Sequence, residues 1–267
     1  MSSIRDGSSS GQKTKKMADD TATIQAALDV GGIVIIKEGT YWIDATKSLR
    51  PRSNSNILLD GVTLKVIPNS EENYKLFMLQ NIQNVTMIGG MLIGDRASHK
   101  GTTGEWGMGV SIKQDCVNIT LSKMKSIGMW GDGFYVGCSA NKNRPKNVII
   151  DSCVADKNRR QGLSITAVDT CRVTGSTFSH TGGTDPMDGI DIETDADNVI
   201  NGVRISGCKF LYNRGVGIEL AGKRGIIKDV KIWSNTFTGN VALKIWTDNL
   251  LTKIARKAGL LSNDYAL

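Results

Sequence analysis

Two carboxylates stand two positions apart in Gly189-Ile190-Asp191-Ile192-Glu193; Asp188 precedes them and Glu219 lies 28 residues beyond Asp191. Paired carboxyls suit glycoside hydrolysis: a protonated one donates to the leaving oxygen, and an ionised one serves as base or nucleophile. On one strand, residues i and i+2 are separated by roughly 7 Å, and neighbours on adjacent strands by roughly 5 Å. These values bracket the carboxyl spacings of retaining (~5.5 Å) and inverting (~6.5–9.5 Å) glycosidases. Like charges so close raise one pKa, which keeps that carboxyl protonated. Asp191 and Glu193 are therefore the leading catalytic pair, with Asp132 and Glu219 in second rank. Around them, Arg159 and Arg160 offer bidentate contacts to a sugar carboxylate or phosphate. Trp106, Trp130 and Tyr135 offer flat faces to pyranose rings, and His99, Glu105, Gln161 and Asp188 complete the expected substrate contacts.

These residues need a scaffold that stacks strands in register, and a repeat supplies it. A Gly-apolar-x-apolar unit recurs as Gly109-Val-Ser-Ile, Gly133-Phe-Tyr-Val, Gly162-Leu-Ser-Ile, Gly189-Ile-Asp-Ile, Gly217-Ile-Glu-Leu and Ala242-Leu-Lys-Ile, with starts 24, 29, 27, 28 and 25 residues apart. A second strand opens on a polar residue, as in Asn56-Ile-Leu-Leu, Asn84-Val-Thr-Met, Asn118-Ile-Thr-Leu and Asn147-Val-Ile-Ile. One unit of three short strands cannot bury its own apolar residues, whereas stacked units share a continuous core. The expected fold is all-β, a right-handed parallel β-helix of about eight coils, with Val110, Phe134, Leu163, Ile190, Ile218 and Leu243 on one interior line. Alternation then sends Ser111, Tyr135, Ser164, Asp191, Glu219 and Lys244 to solvent, where substitution costs little stability. An outward acid is most often merely solvated. Here carboxylates, guanidinia and indoles converge on one face.

The repeat domain spans residues 19–249, with insertions at Asp95–Gly107 and Gly182–Met187. Residues 1–18, rich in Ser, Gly and Lys, read as a flexible arm or cloning remnant. Asp19-Asp20-Thr21 with Ile24, Ala27 and Leu28 predicts an N-capped helix over one end of the core. Leu250, Ile254, Ala258 and Leu261 predict a capping helix in the C-terminal segment 250–267. Of the net charge of +7, the first 17 residues hold +3, and the scattered remainder argues against nucleic acid as a partner. No run of about 18 apolar residues suggests membrane insertion, and no h-region marks a secretory signal. Five dispersed cysteines, without a Cys-x-x-Cys pair, and two histidines point to buried thiols rather than disulfides or a metal site.

The coil pattern from Asp19 to Asn249 resembles the pectate-lyase-like right-handed parallel β-helix proteins. Asp19-Asp20-Thr21, Gln25-Ala26-Ala27-Leu28 and Gly39-Thr40-Tyr41 are similar to the N-terminal cap of bacteriophage tailspikes and pectin-degrading relatives. Gly104-Glu105-Trp106-Gly107-Met108-Gly109, Trp130-Gly131-Asp132-Gly133, Asn158-Arg159-Arg160-Gln161-Gly162 and Gly189–Glu193 resemble the tailspike-like polysaccharide depolymerases. That resemblance implies an extracellular or virion-tail protein that grips, and often cuts, a bacterial surface polysaccharide. Phage relatives are commonly homotrimers, so a homotrimer is one implied assembly, although no trimerisation tail is legible. The Gly-His-Gly of polygalacturonases is absent, which argues against pectin hydrolysis.

Hydrolysis of a bacterial polysaccharide, without cofactor, is the leading expectation. The alternatives are a non-catalytic receptor-binding adhesin, a polysaccharide lyase or uronan epimerase, and a teichoic-acid phosphodiesterase. In the lyase case the Asp188/Asp191/Glu193 cluster could bind Ca²⁺.

Overall fold

A computed structural model describes residues 18–139, 142–194, 197–222, 225–247 and 262–263. They build a right-handed parallel β-helix in which the paired strands run parallel. One sheet stacks seven strands: Lys75–Leu79, Met108–Ile112, Phe134–Val136, Leu163–Ile165, Ile190–Glu193, Val216–Gly222 and Val241–Thr247. A parallel bridge from Leu49 to Phe77 adds an eighth level. The larger sheet receives two strands per coil, for example Lys146–Asp151 followed by the three-residue Val154–Asp156.

The anticipated interior line holds. Val110 pairs with Phe134, then Leu163, Ile190, Ile218 and Leu243 follow in unbroken register, and each is buried. Each buried aliphatic or aromatic side chain contributes roughly 1.5–3 kcal/mol. Phe178, Phe210 and Phe237 form a second internal column, with centroids 5.5 and 4.9 Å apart.

The leading glycine of each repeat has a steric cause. A Cβ on Gly162 would lie 2.4 Å from the Gly189 carbonyl oxygen, and one on Gly189 would lie 2.6 Å from that of Gly217. The next coil's backbone occupies the space a side chain would need. The second repeat is set by a different asparagine from the one read in sequence. Asn54, not Asn56, stacks with Asn84, Asn118 and Asn147, each side-chain amide donating to the asparagine below at 2.8–2.9 Å. Asn56 pairs instead with Thr86.

The helix is Thr21–Leu28, with Thr21, Ile24 and Leu28 buried over the core. Asp20 occupies the cap position, yet its carboxylate accepts from the Trp42 N–H (2.9 Å), and Asp19 takes the Thr21 N–H (3.0 Å). The predicted C-terminal helix falls on residues outside those described, apart from Ser262–Asn263, a short strand on the larger sheet. All five cysteines are free and buried, and burial pushes the Cys171 thiol up to about 12. Among the described residues no helix is long and apolar enough to cross a membrane.

Candidate functional site

On the seven-stranded sheet the x residues of the repeat point away from the core, as alternation requires. Four of the six do not reach open solvent: Ser111, Ser164, Asp191 and Glu219 are all at most 4% exposed, whereas Tyr135 is half-buried and Lys244 exposed. The expectation that this face is freely solvated is therefore corrected, and exposure is not the reason that Asp191 tolerates a neutral isostere. A groove of about 460 Å³ lies on this face, with Glu105 and Trp106 of the Asp95–Gly107 insertion in its wall together with Asn73, Lys75, Met108, Lys113, Tyr135, Arg160, Ser164, Thr166, Asp191 and Glu193, while Lys244 packs on Glu219.

Arg160 ties the wall together. Its Nε lies 3.1 Å from Glu105 Oε2, and its Nη1 lies 3.5 Å from Asp132 and 3.4 Å from Ser164 Oγ. Asp132 accepts the Ser164 hydroxyl at 3.0 Å. Burial raises the Asp132 pKa, against the pull of Arg160. Across the groove, Trp106 is 45% exposed. Tyr135 donates or accepts at Thr166 Oγ1 (2.8 Å), and Lys113 Nζ lies 4.9 Å from its ring centre.

Asp191 is the most perturbed carboxyl in the wall. Burial holds its pKa well above the usual carboxylate range, with Glu193, Asp188 and Glu219 adding repulsion and Arg160 opposing. Its Oδ2 accepts from Gln161 Nε2 at 3.1 Å, and its buried Oδ1 has no partner. Behind it, Asp191 pairs in register with Glu219, and Glu219 lies 2.7 Å from Lys244 Nζ. Asp188 accepts the Val216 N–H at 2.6 Å. Burial, reinforced by Glu219, pushes Asp188 up to about 7.

A cation, if one is held, fits a different set from the one read in sequence. Asp188, Asp191 and Glu219 each offer a carboxylate oxygen, all within 4.8 Å of one another, so Glu219 takes the place assigned to Glu193. The buried oxygens Asp188 Oδ2 and Asp191 Oδ1 both lack a hydrogen-bond partner. This donor set suits a hard cation such as Ca²⁺. The same crowding is relieved by protons.

Of the sequence-derived residues, the groove gathers Glu105, Trp106, Tyr135, Arg160, Asp191 and Glu193. Others do not line the groove. The His99 ring is fully enclosed, stacked on Trp130 at 4.0 Å and bonded to Asp95 at 2.8 Å. Trp130 belongs to the core, and the Arg159 guanidinium lies 3.9 Å over its ring and donates to the Gly104 carbonyl. Gln161 is fully buried and bridges Asp191 to the Asp188 N–H. Asp132, Asp188 and Glu219 are buried and do not line the groove, Glu219 continuing the Asp191 column on the next coil. His99, Trp130 and Arg159 anchor the long insertion, through Asp95 and the carbonyls of Thr103 and Gly104.

Lys75 was missed. Its strand lacks the leading glycine, because Leu76 fills that place; register with Met108 nevertheless puts Lys75 at the foot of the column that runs on through Asp132, Gln161 and Asp188. Burial, then Lys113, lowers its pKa to about 8. Lys113 and Thr166 were legible as a column, yet carried no role.

The stacked coils and covered groove define a class. Residues 98–254, more than half of the chain, match the model described as right handed beta helix region, and the chain belongs to that family. It is 34% identical over 182 residues to the uncharacterized protein YclG of Bacillus subtilis (strain 168), covering 58% of this chain and 31% of YclG. The chain thus spans about a third of that curated relative. Gene product 12 of bacteriophage phi29, in its pre-mature form, superposes with a TM-score of 0.73 at 15% identity, over 85% of this chain and 32% of that one. The tailspike gp49 of Acinetobacter baumannii bacteriophage Fri1, a capsular polysaccharide depolymerase, gives 0.66 at 14% identity, over 88% of this chain and 46% of that one. At these identities the structural likeness is one of fold.

Proposed function

We propose that the groove binds and cleaves a bacterial surface polysaccharide by hydrolysis, in an extracellular or virion-borne, tailspike-type protein. The observation that carries this reading is Asp191: a carboxyl whose pKa is raised by burial and neighbouring carboxylates, in the groove wall, with one oxygen unpartnered. Asp191 is the general acid. Glu193, two residues on along the same strand and roughly 7 Å away, is the carboxylate that activates water or attacks the anomeric carbon. Trp106 and Tyr135 supply sugar platforms, and Arg160 and Lys113 favour an acidic unit. The fold shared with a capsular polysaccharide depolymerase agrees with the substrate class.

A second reading is elimination at a uronate. Lys75, with a pKa of about 8 and placed in the groove with Tyr135, is a suitable base. Incubation with a panel of capsular and cell-wall polysaccharides, followed by fragment sizing, tests cleavage. New reducing ends without ultraviolet absorbance support hydrolysis, and an absorbing unsaturated uronate supports elimination. Binding without fragments from any member leaves an adhesin and overturns both.

A further inference from the structure

A second cavity lies on the far side of the Lys157–Arg160 turn from the groove. Each three-residue strand of the larger sheet ends on a left-handed residue: Gly128, Lys157, His180, Tyr212 and Gly239, with φ between 51° and 68°. In each of the first four the N–H donates to the adjoining coil, as from Lys157 to the Ser179 carbonyl and from His180 to the Leu211 carbonyl. The left-handed turn swings these side chains outward. Lys157, His180 and Tyr212 therefore form an external column, with bare glycines at either end.

The cavity encloses about 590 Å³ and is lined by Arg96, Lys157, His180, Thr181, Tyr212 and Arg214 among others, with no acidic residue. Its volume falls in the range of about 300–1,000 Å³ usual for small-ligand sites. Tyr212 is 57% exposed and stacks on His180 at 5.7 Å. A Cβ on Gly239 would come within 2.3 Å of the Tyr212 ring, so the ring lies directly against that backbone and is held as a shelf. His180 Nδ1 is bonded to Asp156 at 2.8 Å, which orients its ring.

The cations are arranged unequally. Arg96 is anchored by the carbonyls of Lys157, Asn158 and Gly182. Burial, together with Arg159 and Arg214, holds its guanidinium below the ordinary value, so positive charge is crowded here. Arg214 packs its methylenes over Gly182, and its guanidinium has no side-chain partner among the described residues. Deeper in the cavity wall, Thr181 is 1% exposed and its Oγ1 has no hydrogen-bond partner. An orphaned buried hydroxyl costs roughly 1–3 kcal/mol, and a ligand oxygen would remove that cost.

We propose that this cavity is a second carbohydrate site, for one anionic sugar unit. The pyranose ring lies on Tyr212, its carboxylate or phosphate meets Arg214 and Lys157, and a ring oxygen or hydroxyl reaches Thr181 Oγ1. An aromatic shelf beside unpaired guanidinium is the combination such a unit requires: an apolar face for the ring and a planar donor fork for the anion. The site is separate from the groove and does not depend on cleavage there.

Calorimetric titration of the full chain with tetragalacturonate, glucose 1-phosphate and neutral maltotetraose tests it. Saturable binding of either anionic probe is expected, with maltotetraose at least tenfold weaker; the stronger of the two identifies the anion as carboxylate or phosphate. Arg214→Gln and Tyr212→Ala, both exposed positions, should each weaken that binding at least tenfold, and Thr181→Val several-fold. The groove variant Asp191→Asn/Glu193→Gln should retain it. Three outcomes overturn the proposal: no saturable binding of either anionic probe, equal affinity for maltotetraose, or binding that is lost in the groove variant while Arg214→Gln keeps it.

Discussion

Arg160 Nε meets Glu105 Oε2 at 3.1 Å, joining a turn of the coil stack to an insertion 55 residues earlier in the chain. The same guanidinium reaches back to Asp132, which is wholly buried. One arginine thus closes the groove wall and neutralises the acid beneath it. Removing a partner from a buried charge pair costs about 3–5 kcal/mol, because the remaining charge is stranded. Arg160→Gln should lower Tm by several degrees, measured by differential scanning calorimetry. Adding Asp132→Asn should recover most of the loss. Glu105→Gln alone, at a half-buried carboxylate, should cost about 1 kcal/mol or less. A double variant no more stable than Arg160→Gln would show that Asp132 is not the stranded group.

Asp191→Asn and Glu193→Gln should each abolish fragment release on a cleaved polysaccharide. Because burial and the neighbouring carboxylates disfavour its ionised form, the neutral isostere of Asp191 should leave Tm nearly unchanged despite its burial. Activity should fall on the alkaline side as Asp191 ionises. Cleavage that survives in Asp191→Asn would remove it from the mechanism.

Lys75 separates the two chemistries. As an eliminating base it must be neutral, so activity would rise as pH passes about 8, and Lys75→Met would abolish it. Under hydrolysis the same variant should alter KM by up to about tenfold and leave kcat nearly unchanged. Steady-state rates from pH 5 to 10 decide this.

Asp188 makes stability depend on pH. Its pKa in the fold is about 7, against about 3.9 in an unfolded chain. The folded state therefore holds a proton that the unfolded state has lost, and linkage gives a negative slope between those values. Its contribution is complete below about pH 4 and is lost as pH rises through about 7. Tm should fall by a few degrees between pH 5 and 8, and Asp188→Asn should flatten that slope. Calcium, if it binds Asp188, Asp191 and Glu219, should restore Tm at pH 8 and be reversed by a chelator. An equal slope in Asp188→Asn would assign the effect to other groups.

Gly162→Ala tests the stacking itself. The added methyl would sit 2.4 Å from the Gly189 carbonyl, and relieving such an overlap typically costs about 1–3 kcal/mol. A drop in Tm of roughly 3–10 °C is expected by thermal unfolding. No change would mean that the coils can spread without cost.

The coil period, the interior line from Val110 to Leu243 and the gathering of Asp191, Glu193 and Glu219 on one face were determined by the sequence alone. Gly-apolar-x-apolar repeats report a local constraint: a glycine where the neighbouring backbone leaves no room, then alternation that assigns each residue to a side. The tertiary structure decided what covers that face. Whether an outward residue meets water depends on which distant groups pack over it, and nothing in the residues 95–107 announces that Glu105 will reach Arg160. The same folding enclosed His99 and Trp130 and brought Lys75 in from a strand without the glycine signature. It also substituted Glu219 for Glu193 in the carboxylate cluster. Periodicity records which way a side chain points, whereas its exposure, partners and protonation are set by atoms distant in sequence.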